Sequence, residues 1–488
     1  MVSAWLSSPA PHRRNCSLRW RLPLWDRQPS GYLIRIDHFN NREATILKWL
    51  RHALGRLDGA AQAHSTAPIP LEQLVPGYRV ALVCIAVAFT LTGLYIGSEL
   101  ALTQGLAVGI HAVIIGSLIL CMMSVPAAIV GAKTRLSTYM IVSNVFGKAG
   151  AKLINLVLAL VLLGWYAVTA ELAGRTCYLT MVDYLSSRPP QWVFTVGVSA
   201  LVIMTTVFGF RAIDRLSLLF APLLVMLTAY VAWRATAQVS WQEMFAVPGT
   251  TVDLSTGISA VIGAMIVGVV LMPDITRYSR STFDCVLISI TGNGLGSGGA
   301  LILAMLPALA FHEVDPMKYM AALGLVGVAF TTLLLSTWTV NAINLYSTGL
   351  VTSTAFRTVA YGRIVIGCGI AGTIAAVIGI ADRLIGFLVL LGLIVPPIAG
   401  IYLTDFFVLE RRDYVSDRHL QRFDQTNIDG LLACALGSAI GVFTYYTQSS
   451  ITGVPAIESF VSASLLYMAL EWFRGKTGRD RRWRAVSG

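Results

Sequence analysis

The chain has 488 residues, of which 56% are hydrophobic and 12% charged. A water-soluble chain of that length carries about a quarter charged residues, so the composition excludes an ordinary soluble enzyme and indicates one large polytopic membrane domain. The net charge of +11 comes from Lys and Arg spread through loops and tails, so membrane topology accounts for it without a nucleic-acid partner.

In chain order, residues 1–75 form a separate basic extension, with Arg13, Arg14, Arg19, Arg21, Arg27, Arg35, Arg42, Lys48, Arg51 and Arg56 against few acids. It has no apolar core of signal-peptide length. Three readings stand for it: a short amphipathic helix over 46–57 on an anionic membrane surface, a disordered basic tail, or residues upstream of the start codon used in the cell. An all-α transmembrane domain is expected over 76–474, with a basic tail at 475–488. A spanning helix needs roughly 20 apolar residues, and the chain offers about twelve such runs. They cover 80–103, 106–130, 153–179, 192–208, 216–233, 257–272, 286–311, 320–346, 364–380, 384–409, 428–445 and 454–473. Alternate loops are rich in Lys and Arg: Lys133, Arg135, Lys148 and Lys152; Arg211 and Arg215; Arg277 and Arg280; Arg357 and Arg363; Arg411, Arg412, Arg418 and Arg422. The tail adds Arg474, Lys476, Arg479, Arg481, Arg482 and Arg484. The positive-inside rule then puts both termini in the cytoplasm, which requires an even number of spans. The seven cysteines fall mostly in apolar runs without CxxC spacing or paired His, the pattern of packing residues.

Several runs contain residues that lipid does not favour. The first holds Gly93 and Gly97 around Leu94-Tyr95-Ile96. The sixth holds Gly263 and Gly268 ahead of Met272-Pro273-Asp274. Lying one five-helix set apart, they read as a pair of discontinuous helices, or as small residues for close packing. In the third run, Gly164-Trp165-Tyr166 puts a tryptophan in mid-span beside a glycine. That reads as a stacking platform for a planar ligand, or as a core aromatic. In the eighth, Ser336, Thr337, Thr339 and Asn341 read as interhelical glue or as a ligand site. Glu99 and Glu171 are carboxylates near or within helices and are candidate proton carriers.

From about Pro70 onward, several stretches resemble the purine–cytosine permease family of nucleobase–cation symporters. They are Gly131-Ala132-Lys133-Thr134-Arg135-Leu136-Ser137-Thr138, Gly164-Trp165-Tyr166, Asp274-Ile275-Thr276-Arg277-Tyr278, Trp338-Thr339-Val340-Asn341 with Asn344-Leu345-Tyr346, and Pro396-Pro397-Ile398-Ala399-Gly400 with Asp405 and Arg411-Arg412-Asp413-Tyr414. The resemblance implies two inverted five-helix repeats plus two helices, and alternating access around a midplane site on the first, third, sixth and eighth helices. It implies that Trp165 stacks on the base and Asn341 hydrogen-bonds it. It further implies that Thr339 and backbone carbonyls from Gly93 to Ile96 hold sodium. Gly93, Gly97 and Gly263 complete the candidate substrate site. Three positions depart from the family pattern: Leu162 replaces a glutamine, Met265 the second stacking aromatic, and Val340 the second hydroxyl beside Thr339. A missing amide changes which ligand edges are read, so the substrate is expected within the wider class of nucleobases and related heterocycles. The missing hydroxyl leaves Na+ and H+ both open as coupling ion.

The expected function is uptake of a planar nitrogen heterocycle with a cation across the inner membrane. An enzyme lacks the His, Cys and Asp constellation that metal or nucleophile chemistry requires. A substrate-sensing receptor on the same fold would come without a soluble signalling domain, and no ring of repeated filter residues marks a channel. No cofactor is expected beyond the coupling ion, and the partners are the heterocycle, the cation and the lipid bilayer.

Overall fold

The computed structural model describes residues 68–181, 188–208, 211–251, 253–356, 359–409 and 426–476. Most of the basic extension, including 46–57, lies outside the described residues, as do Arg357, the 411–414 motif and tail residues 477–488. Among the described residues there is no strand, and Val75 and Ser279 form an isolated bridge. Seven helices among the described residues are long and apolar enough to cross a membrane, and Gln191–Val207 and Leu254–Val270 are shorter apolar helices.

The first run is split into α1 (Gly77–Ala88) and α2 (Leu91–Gln104). Thr90 is extended at φ −140°, ψ 160°, and its hydroxyl accepts the Gly93 N–H at 3.1 Å, so a hydroxyl cap restarts the helix there. The break therefore falls at Phe89–Thr90, ahead of the glycines at which the sequence placed it. The next helix is α3 (Leu106–Thr134). α4 (Thr138–Met181) contains Gly147 at φ 73°, which divides it into a short leading helix and a long one. α5 (Gln191–Phe208), α6 (Arg211–Gln238) and the short α7 (Trp241–Ala246) follow.

In the sixth run, Asp253 caps the amides of Ser255 and Thr256, and α8 (Leu254–Val270) runs unbroken through Gly263 and Gly268. The discontinuity comes at Leu271, just before Pro273, which lacks an N–H and is suited to the first turn of α9 (Met272–Thr276). The seventh run joins α10 (Thr282–Ser289), a π-helical stretch (Ile290–Gly298) and α11 (Gly299–Phe311). The expected helix over 320–346 instead begins at Val326. Asp315 caps a separate helix, α12 (Pro316–Ala322), and α13 (Val326–Ala355) is distinct. Then come α14 (Tyr361–Ile378), a 3-10 turn (Ile380–Arg383), α15 (Leu384–Ile394), α16 (Pro396–Phe407), α17 (Ile428–Tyr446) and α18 (Pro455–Lys476).

Small residues set how closely these helices approach. A Cβ on Gly263 would overlap the carbonyl of Leu388, and one on Gly97 would overlap that of Leu301. α8 is thereby pressed onto α15 and α2 onto α11, the close approach that glycine permits between membrane helices. Two of the stretches that carry the family resemblance meet at one junction: Gly131 packs on Pro273 and Thr276, and Asp274 Oδ1 accepts the Thr138 N–H at 3.0 Å. At α4's leading helix, Asn427 donates its backbone N–H to the Phe146 carbonyl at 3.0 Å and its amide to that of Val145 at 2.9 Å. The same amide reaches Tyr467, whose hydroxyl donates to Asp405 at 2.8 Å.

Candidate functional site

Trp165 stands half-buried within α4. Its ring meets Phe387 of α15 edge-to-face, with centroids 5.6 Å apart and planes at 76°. Such aromatic pairs are worth about 0.5–1.5 kcal/mol beyond their area burial. Gly164 makes the approach feasible, since a Cβ there would lie 2.7 Å from the Phe387 ring. The sequence left that space to a planar ligand or to core packing, and Phe387 was not among the residues it singled out. The available signal was slight: Phe387 is the only aromatic residue in the apolar run Leu384–Ile394.

α13 packs along α4 and carries the polar cluster. Two of its members are satisfied. Ser336 donates to Leu333 O at 3.1 Å and Thr339 to Leu335 O at 3.0 Å, both within the helix. Trp338 donates from Nε1 to Thr205 Oγ1 at 3.1 Å, tying α13 to α5. Two members differ. Asn341 is 0% exposed, and neither amide atom has a partner in the protein. Thr337, 1% exposed and four residues earlier on the same helical face, has an unpartnered hydroxyl. A buried polar group left unpaired costs about 1–3 kcal/mol. An amide supplies both a donor and an acceptor, the complement of a ring with adjacent C=O and N–H.

The remaining candidates divide. Leu162 is buried, and Met265 packs half-buried against the same apolar cluster as Trp165 and Phe387, so neither position supplies an amide or an aromatic face. Gly97 and Gly263 are occupied in helix packing, as described above. Gly93 lies in the first turn of α2, and Ile96 is buried within that helix. Because α2 continues to Gln104, the carbonyls from Gly93 to Ile96 face amides of their own helix. The carbonyls without such amides belong to the last turn of α1, ending at Ala88. The Ala88 oxygen lies 3.0 Å from the position a Cβ on Gly93 would take. The carbonyls available to a hard cation therefore sit one turn or more before those the sequence indicated. Thr92 and Thr332 also hold buried hydroxyls without partners, the former at the break and the latter on α13.

Glu171 is 4% exposed and its Oε2 accepts the Ala381 N–H at 2.8 Å, while Glu99 is half-buried. Arg175 donates to Tyr95 Oη at 3.0 Å and lies 3.6 Å from Asp382. In the loop before α12, burial pushes the Asp315 carboxyl up, against the opposing effects of the Met317 amide and of Arg175 and Lys318.

Residues 78–473 match the family described as permeases for cytosine/purines, uracil, thiamine and allantoin. The cytosine permeases of Escherichia coli O157:H7 and Escherichia coli strain K12 are each 27% identical over 418 residues, covering 83% of this chain and 93% of theirs. Among solved structures, the nucleobase-cation-symport-1 family transporter Mhp1, closed with bromovinylhydantoin bound, is 20% identical with a TM-score of 0.69. It covers 85% of this chain and 96% of its own. Inward-facing Mhp1 is 18% identical with a TM-score of 0.71, covering 84% and 95%. A Na+-coupled sialic acid symporter in its substrate-bound outward-open state is 13% identical with a TM-score of 0.54, covering 86% and 95%. At these identities the structures establish a shared fold.

Proposed function

Because the chain belongs to the family of permeases for cytosine/purines, uracil, thiamine and allantoin, we propose that it imports a planar nitrogen heterocycle together with a cation. The route is alternating access in a membrane domain of about twelve spans, arranged as two inverted five-helix repeats plus two helices, with both termini in the cytoplasm. The observation that carries this reading is the pair Thr337 and Asn341. They are buried, share a helical face and lack a protein partner on a helix packed against the one that bears Trp165. In this reading the heterocycle stacks on Trp165 and completes the Asn341 amide. Leu162 and Met265, apolar where the family has an amide and an aromatic ring, shift the preference among heterocycles rather than the class.

Sodium is the first choice of coupling ion. Oxygens of Thr339 and of the broken first helix are the ligand types a hard cation takes. Protons are the second, because Val340 offers no oxygen and because Glu99 and Glu171 lie in the helices. Uptake by whole cells of radiolabelled cytosine, uracil, adenine, hypoxanthine, allantoin and hydantoin tests the proposal. At least one is expected to accumulate, and to stop accumulating when the ion gradients are collapsed. Failure of all six to enter cells that contain the inserted protein would refute it.

A further inference from the structure

The end of α4 beyond Trp165 holds a set of contacts that substrate binding leaves unused. Glu171 and Arg175 stand on that helix six and ten residues past Trp165. Glu171 accepts the Ala381 N–H at 2.8 Å, and Arg175 lies 3.6 Å from Asp382 while donating to Tyr95 of α2 at 3.0 Å. Ala381 and Asp382 belong to the 3-10 turn Ile380–Arg383. The chain enters that turn through Gly379 at φ 93°, a conformation that only glycine adopts at little cost. It leaves directly into α15, where Phe387 follows four residues after Arg383. α14 brings the turn to this place by packing Gly372 against the ring of Tyr166. One helix thus holds both rings of the aromatic pair: it bears Trp165 and it grips the turn from which Phe387 hangs. Arg175, one helical turn beyond Glu171, gives the same turn a second hold through Asp382.

We propose that Glu171 is a positioning residue for substrate binding: with Arg175 it clamps the 379–383 turn and so sets how closely Phe387 closes on Trp165. This rests on the reading that Trp165 is the substrate platform. Under it, the second aromatic wall absent at Met265 comes from α15, and the clamp fixes the width of the slot a flat ring enters. A hydrogen bond in a low-dielectric interior restrains such a turn more strongly than one in water. What the clamp requires of residue 171 is an acceptor oxygen at the right place. A proton carrier would require the ionisable carboxyl itself.

That difference gives the test. Amide hydrogen exchange over 379–388 is measured in nanodiscs without substrate, and uptake kinetics are measured with the best-accumulated base of the six-compound panel. Glu171→Gln keeps an acceptor, so exchange, KM and Vmax should stay near native. Glu171→Ala should speed exchange in 379–388 and raise KM about tenfold, on the scale of one lost hydrogen bond, with Vmax largely retained. Glu171→Asp, which withdraws the acceptor by one methylene, should fall between, and Arg175→Lys should stay close to native. If Glu171→Ala does not fold, Glu171→Asp and Arg175→Ala carry the same comparison. Native exchange and native KM in Glu171→Ala would overturn the clamp. So would a Glu171→Gln protein that binds normally but no longer accumulates substrate against its gradient, since Glu171 would then be carrying an ion. Trp165→Ala separates the two levels. A raised KM there beside native Glu171→Ala sinks the clamp alone. A native KM there sinks the platform reading, even if the turn loosens in Glu171→Ala.

Discussion

Asn341 and Trp165 are expected to fail in different ways when replaced. Asn341→Leu removes the donor and the acceptor together but fills the space with carbon, so the helix should pack while the ligand's polar edge is left bare. One unpaired buried group costs about 1–3 kcal/mol, which is roughly a 10- to 100-fold loss of affinity. Trp165→Ala should lose binding and also free the Phe387 ring. Both are read by substrate uptake and by the amount of inserted protein, and native affinity in well-expressed Asn341→Leu would reduce Asn341 to a packing residue. At this scale the sequence was informative about polarity and blind to partners. It marked Ser336, Thr337, Thr339 and Asn341 as one cluster, whereas only Thr337 and Asn341 are left without partners. Helix back-bonding by Ser and Thr is a local geometric choice that residue type does not decide.

Helix contacts separate two glycines that look alike in the sequence. At Gly263 a new Cβ meets the Leu388 carbonyl, a backbone atom that moves only if a whole helix moves. At Gly164 it meets the rim of the Phe387 ring, which can swing about its own torsions. Gly263→Ala should therefore reduce the yield of folded protein, and Gly164→Ala should leave yield intact while changing substrate affinity. Size-exclusion profiles of detergent-solubilised variants, set beside uptake, distinguish the two; equal yields would contradict the packing seen between α8 and α15. Both helix interruptions were legible as existing and misplaced in position. The glycines drew attention to 93–97 and 263–268, but the chain breaks where Thr90 caps a new helix and where Pro273 withdraws an amide. Glycine permits close packing without ending a helix, so its presence in a span marks a contact more often than a kink.

For the whole molecule, the all-helical fold and the boundaries of most apolar runs followed from hydropathy, because in lipid every backbone group must be satisfied within its own helix. Orientation is a separate expectation from loop charge. A reporter fused after Arg484 should be active only in a form that works in the cytoplasm, and periplasmic activity would invert the topology. Ion coupling also belongs to this scale, since the proposed cation site draws on the first and eighth helices. If sodium is the driving ion, uptake should rise with external sodium. Val340→Thr, whose new hydroxyl can donate to the carbonyl four residues back as Thr339 does, should shift that dependence to lower concentration. Uptake that ignores sodium in both proteins and follows the pH gradient would assign coupling to protons.

The left-handed residue inside α4 has a mechanical consequence. Gly147 joins a short leading helix, held at Phe146 and Val145 by Asn427, to a long limb that carries Trp165, Glu171 and Arg175. The bracing comes from helices late in the chain, through Tyr467 and Asp405. At about 1.5 Å of rise per residue, the indole stands ~27 Å from that glycine, so a tilt of about 10° there carries the ring ~5 Å. Were the limb to tilt, Gly147 would be its fulcrum and the late helices the bearing in which the fulcrum sits. How firmly that bearing grips determines how much of any swing reaches the aromatic pair and how much is lost as play at the pivot.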